Sequence, residues 1–263
     1  MAPYDFNALD ADAILCSSDR KELRVHKVFL SLASPVFRDM FGLPQPIESP
    51  SKVPSIVISE SSDILQPLIQ YLYPYSPPEI PDVEVWAKLY TTADKYNIEV
   101  VADWLRGMLV PRFLETSPLR VYALASYWGF EEEAKVASRG TLTIDISNGF
   151  PEEDARLMGG VACQKLYVLH TQRRERIRVF IGALPYRISG NCSCSPINFQ
   201  PIFQRLNRCL SAEPWITAEE LYEEAAGAEK SQRCSGNCRN AFKNVHAWIS
   251  SIPKEMSKLP QTI

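Results

Sequence analysis

Three short stretches decide the fold: Asp12-Ala13-Ile14-Leu15, then Leu23-Arg24-Val25-His26-Lys27-Val28-Phe29-Leu30, then Ser34-Pro35-Val36-Phe37-Arg38-Asp39-Met40-Phe41. Ala13 to Cys16 is a brief apolar run, ended by the turn-forming Ser17-Ser18-Asp19. Leu23 and Val25 alternate with Glu22 and Arg24, the period of a strand with one buried face. Together they read as a hairpin. His26 then opens HKVFLSLAS, in which Val28, Phe29 and Leu32 share one helical stripe. Ser34-Pro35 restarts the chain as a second helix. The serine suits the N-cap, and proline fits the first helical position because its missing N–H has no partner there anyway.

Working outward, the proline-rich stretch from Gly42 to Pro54 reads as a loop and Ser55 to Ser59 as a return strand. Ile64, Leu65, Leu68, Ile69, Leu72 and Tyr73 make the apolar face of a helix, with Pro67 expected in its first turns, where proline is least harmful. Val83 to Asn97 gives another helix, with Val85, Trp86, Leu89, Tyr90 and Ala93 facing inward. Val100 to Leu109 gives a third, through Val101, Trp104, Leu105 and Met108. A strand hairpin, paired helices, a return strand and a helical hairpin make an α+β domain.

The order and spacing of these motifs over residues 10–110 resemble the BTB/POZ domain. The ILQPLIQYLYPY and LYTTADKYNIEVVADWLRGML segments resemble that domain's third helix and closing helical hairpin. The continuation SPLRVYALASYWGFEEEAKVASRGTL resembles the start of the helical BACK-like region behind many such domains. The whole is similar to fungal stand-alone BTB proteins with a cysteine-bearing helical tail. The resulting division is a BTB/POZ domain at 1–110 and a helical BACK-like region at 111–263.

The resemblance implies a non-catalytic protein–protein interaction module that commonly self-associates around its first strand and first helix. Asp12 and Lys27 match family positions that form a charged pair at the homodimer interface in some members. The residues themselves equally allow Asp12 to cap a strand end and Lys27 to be solvated. The family's histidine at the His26 position is structural. In members that recruit substrates to cullin-RING ubiquitin ligases, the loop after the Met-Phe pair carries an apolar-x-Glu step. Here the nearest match is Pro46-Ile47-Glu48, with proline where a larger anchor would insert, so this partner loop departs from the cullin-docking pattern. Phe29 and Phe41 read as core residues.

Composition sets the outer limits. The 263 residues are 46% hydrophobic and 22% charged, as in ordinary globular proteins, and their length suits two domains. Residues 1–110 carry a net charge of −6 and residues 111–263 a net charge of +3. Neither is basic enough for a phosphate-tracking surface, so direct nucleic-acid binding is not expected. The apolar runs are too short and too proline-broken to span a membrane. The N-terminal MAPYDFNALDADA has no apolar core of a secretory signal. A cytoplasmic or nuclear protein is the expectation.

In the second half, Leu119, Tyr122, Ala123 and Ser126 and then Glu131 to Leu142 read as two short helices. The Glu131-Glu132-Glu133 run sits where acids favour a helix N-terminus. Pro151 opens another helix, and Cys163 to Ile181 is a long amphipathic stretch whose Arg173, Arg174, Arg176 and Arg178 suit an exposed face. Seven cysteines include the close pairs Cys192/Cys194 and Cys234/Cys238, each in a Gly/Asn/Ser turn. Four thiolates on two tight turns match a tetrahedral structural zinc site, although neither spacing is the commoner C-x2-C. Reduced thiols packed as small hydrophobes are one alternative, and a redox pair, without a βαβ context, is another. Cys209 and His246 read as helix packing. No G-x-S-x-G, H-E-x-x-H, P-loop or G-x-G-x-x-G pattern is present, and His26, His170 and His246 are the only histidines. A non-enzymatic scaffold or adaptor is therefore expected, with a ligase substrate adaptor and a transcription-associated regulator as alternatives.

Overall fold

Strand β1 (Ala13–Cys16) lies at the centre of a three-stranded mixed sheet, between β2 (Glu22–Val25) and β3 (Ser55–Val57). β1 pairs antiparallel with β2, Leu15 opposite Leu23, and parallel with β3, Leu15 opposite Ile56. One cross-strand row, Leu23–Leu15–Ile56, therefore forms the inner face of the sheet, and all three side chains are buried. The computed structural model describes residues 6–43, 53–146, 148–182, 247, 250–251, 254–255 and 257–263. The chain divides into two compact units, Met1–Ser117 and Pro118–Ile263.

Five helices complete the first unit: α1 (Lys27–Ala33), α2 (Pro35–Gly42), α3 (Ser62–Gln70), α4 (Val83–Lys95) and α5 (Glu99–Phe113). This is the small mixed sheet and helical cluster of an α+β domain. Ser34 caps α2 as its sequence indicates: its Oγ accepts from the Phe37 N–H at 3.0 Å and donates to the Tyr96 carbonyl, which ties α2 to the end of α4. The core gathers Leu30, Phe37, Leu65, Leu68, Trp86, Leu89 and Leu105, all fully buried. The Trp86 indole N–H is satisfied by the Leu105 carbonyl at 2.8 Å, joining α4 to α5.

Several sequence expectations shift in detail. Pro67 falls in the body of α3 rather than at its start, and the helix ends soon after, at Gln70. Trp104 is 41% exposed, its ring lying 4.5 Å from that of Tyr71 instead of facing the core. Phe29 and Phe41 are half-buried, while Phe37 takes the core position. The expected division at 110 falls inside α5, which continues to Phe113.

The second unit is built on α6 (Pro118–Tyr127), α7 (Glu131–Gly140), a 3-10 turn (Thr141–Thr143) and α8 (Glu152–Gly182). Five consecutive residues of α6, Val121 to Ala125, are buried, so this helix is covered on all sides. Small residues Ala134, Ala137 and Ser138 form the buried face of α7. Two contacts fix α6 to α8: the Arg120–Asp154 ion pair at 2.9 Å and the Tyr122 hydroxyl donating to the Ala162 carbonyl at 3.0 Å. The helix opened by Pro151 and the amphipathic stretch after Cys163 run together as α8, kinked at Gly159, whose φ of +71° needs glycine.

His170 of α8 is buried with its Nε2 at 3.1 Å from the Thr141 hydroxyl. Burial first, and then the nearby Arg174 and Arg173, push its pKa down to about 4, against the pull of Asp145. An unfolded histidine titrates near pH 6.5, so between that value and about pH 4 the unfolded chain binds the extra proton. The second unit is therefore fully stabilised above pH 6.5 and should lose up to about 3 kcal/mol as the pH falls to 4. Urea denaturation across this range, followed by the unit's tryptophan fluorescence, measures the slope, and His170→Gln should flatten it.

Candidate interaction surface

The start of α1 is held from a distance. His26 occupies the N-cap position but makes no side-chain cap. The Lys27 N–H instead donates to the carboxylate of Asp12, at 2.7 Å, across the sheet's leading edge. Its charge also favours the positive end of the helix. His26 is fixed by Tyr73, whose hydroxyl accepts the His26 backbone N–H at 2.8 Å and lies 3.2 Å from Nδ1. His26 Nε2 faces the Asp10 carboxylate at 3.4 Å. Residues 10–12 are thereby seated against the first turn of α1.

With the helix fixed in this way, Leu30 points into the core and Val28 and Leu32 point out. Leu32 is 82% exposed, Val28 is 57% exposed, and Leu9 in the adjoining segment is 94% exposed. Two of the three residues of the stripe that marks this stretch as helical, Val28 and Leu32, therefore face outward, while Phe29 packs against Tyr73. Aliphatic side chains held open on one ordered helix are the type of surface that a partner covers. Polar groups sit beside them: Asp10 and Asp12 are exposed, and the half-buried Lys27 has its Nζ 6.0 Å from the Phe41 ring centroid. Asp12 and Lys27 do meet within one chain, but through the Lys27 backbone N–H rather than its ammonium.

A second polar cluster closes the far side of the unit. Lys95 Nζ donates to Ser59 Oγ at 2.6 Å and to Glu60, and the Tyr96 hydroxyl also donates to Glu60. A lysine on a serine hydroxyl has the outline of a base and a nucleophile. Here the hydrogen bond to Glu60 raises the Lys95 pKa, so the amine keeps its proton and cannot take one from Ser59. The cluster fastens the end of β3 to the end of α4.

The partner-loop residues Pro46, Ile47 and Glu48 lie outside the described residues, as do Cys192, Cys194, Cys209, Cys234, Cys238 and His246. Of the two described cysteines, Cys16 Sγ lies 3.0 Å from Ser55 Oγ and Cys163 is half-buried against the Ala155 carbonyl. Among the described residues no group of three or more His, Cys, Asp or Glu is placed to hold a metal ion. Among them, too, no helix is long and apolar enough to cross a membrane.

Residues 6–111 match the family model of the BTB/POZ domain. No curated protein matches the chain. The matched stretch ends inside α5 and takes in the whole sheet, so the surface on α1 belongs to a BTB/POZ domain, typically a non-catalytic protein-interaction module.

The Asp12 contact has a consequence that needs no partner. Asp12→Ala should destabilise the first unit by about 1 kcal/mol, the usual worth of a helix cap. Asp12→Asn, which keeps an acceptor oxygen, should lose less than half as much. Thermal melting at a concentration where the chain is monomeric separates this local role from any role in assembly.

Proposed function

We propose that the BTB/POZ domain at residues 6–111 is a self-associating interaction module, paired through the outer face of α1 and the adjoining residues 9–12. The observation that carries this reading is the outward stripe of Val28 and Leu32 on a helix whose core contact is already made by Leu30. A two-fold interface places the same patch on both copies, so the apolar stripe meets itself and charges meet their opposites. Asp12 and Lys27 are adjacent and opposite in sign. A symmetric pairing can bring each Lys27 ammonium to the other copy's Asp12, whose second carboxylate oxygen does not take the Lys27 amide. Such a pair would set register more than affinity.

The chain then acts as a scaffold or adaptor, with the helical second unit, read as BACK-like, supplying a further surface on each copy. A ligase-adaptor role would rest on Pro46, Ile47 and Glu48, and a transcription-associated role on a DNA-binding partner. No described residue favours either over plain self-association.

Light scattering over a dilution series tests the proposal. The unmodified chain should have the mass of a dimer at micromolar concentration. Leu32→Asp buries a charge in the interface and should weaken association at least tenfold, leaving the melting temperature of the monomer within a degree or two because Leu32 makes no core contact. A monomer at all concentrations, or a dimer indifferent to Leu32→Asp and Val28→Glu, would contradict it.

A further inference from the structure

Residues 71–82 join α3 to α4 in the first unit, and Pro74, Pro77, Pro78 and Pro81 fall among them. Residues 76–81 belong to no helix, strand or turn. Their conformation is nonetheless narrow. A proline ring fixes its own φ near −65°, and the residue before a proline is pushed to extended ψ. Ser76, Pro77 and Ile80 each precede a proline, and Pro77 is restricted in both ways. That combination is the polyproline II conformation, a left-handed helix with three residues per turn.

The body of the unit holds this segment by alternate carbonyls. Gln70 Nε2 donates to the Ser76 carbonyl at 2.7 Å, and the Tyr71 hydroxyl donates to the Pro78 carbonyl at 3.3 Å. Arg112 of α5 donates from Nε and Nη2 to the Ile80 carbonyl, at 3.3 and 3.2 Å. The Ile80 side chain is buried in the core, and Asp82 then caps α4 through the Glu84 and Val85 N–H groups. Pro77, Glu79 and Pro81 are left exposed, with Pro78 half-buried between them. The rings at 77, 78 and 81 carry no N–H, so the segment is poorly suited to pair with a partner's strand. What it presents is ring shape and charge.

That charge is acidic. Glu79 and Asp82 are exposed, and the sequence has no lysine or arginine between Lys52 and Lys88. The one cation the fold brings here, Arg112, is turned to the Ile80 carbonyl. We propose that residues 76–81 are a ligand segment for a partner protein whose aromatic-lined groove reads polyproline II chains and whose rim carries basic side chains. The rings of Pro77 and Pro78 enter the groove, and Glu79 meets the basic rim. Because the segment is already ordered, binding costs it little further conformational entropy. It uses no residue of the α1 face and does not depend on self-association.

The test uses the full chain against a panel of purified WW, EVH1 and SH3 domains, sorted by the charge at the groove rim and read by isothermal titration calorimetry. Basic-rimmed domains should include binders with a Kd of about 100 μM or tighter. Pro77→Ala with Pro78→Ala should weaken that binding about tenfold or more, while the melting temperature stays within a few degrees. Glu79→Lys, a change at an exposed side chain, should weaken it about fivefold and shift preference toward acid-rimmed domains. Should the double proline variant not fold, Pro77→Ala alone and Glu79→Lys carry the test. Absence of any binder in the panel would overturn the proposal and leave the prolines a purely stiffening role. So would binding indifferent to the proline substitutions, or a preference of the unmodified chain for acid-rimmed grooves.

Discussion

Two aspartates that bracket β1 place the helices on which the first unit depends. Asp12, just before the strand, accepts the N–H of Lys27 at the start of α1. Asp19, in the turn after it, accepts the N–H and hydroxyl of Ser62 at the start of α3, at 2.8 and 2.7 Å. Neither helix is capped by its own N-cap side chain: His26 and Ser61 both leave the first-turn donors to others. Hydrogen bonds from Ser17 and Ser62 hold the Asp19 carboxyl well below the ordinary carboxylate pKa, so the ionised form persists into acid. One short strand therefore orients both a sheet and two helices.

That placement decides what the surface can do. A seven-residue helix has little stability of its own, and α1 is kept by Leu30, by Asp12 and by Phe29 lying 4.6 Å from the Tyr73 ring. None of these uses Val28 or Leu32. The side chains that fold the helix and those it presents are different residues. The outward face can change its partner without changing the fold, as an interaction module requires.

Local chemistry was legible in the sequence, and long-range chemistry was not. The alternation of Glu22 to Val25, the Ser34-Pro35 start of α2 and the apolar faces around Leu65, Trp86 and Leu105 follow from neighbours a few residues apart, and the α+β class follows from them. The outward turn of Val28 and Leu32 was hidden because a stripe marks a helix without saying which side is covered. The clue was that Leu30 lies off the stripe, making α1 apolar on two sides. Trp104 read as core for the same reason. The caps from Asp12 and Asp19 join residues 15 and 43 positions apart, which no local pattern reports. In the second unit, the approach of residues 258–263 to Ser138 and Arg173 is likewise a tertiary fact.

Amide hydrogen exchange measured at two protein concentrations, above and below the dissociation midpoint, tests α1 as the proposed pairing surface most directly. Exchange should slow on association at residues 8–12 and 27–33 and remain unchanged through α4 and the core of α5. Slowing confined to other elements, with α1 indifferent to concentration, would contradict it.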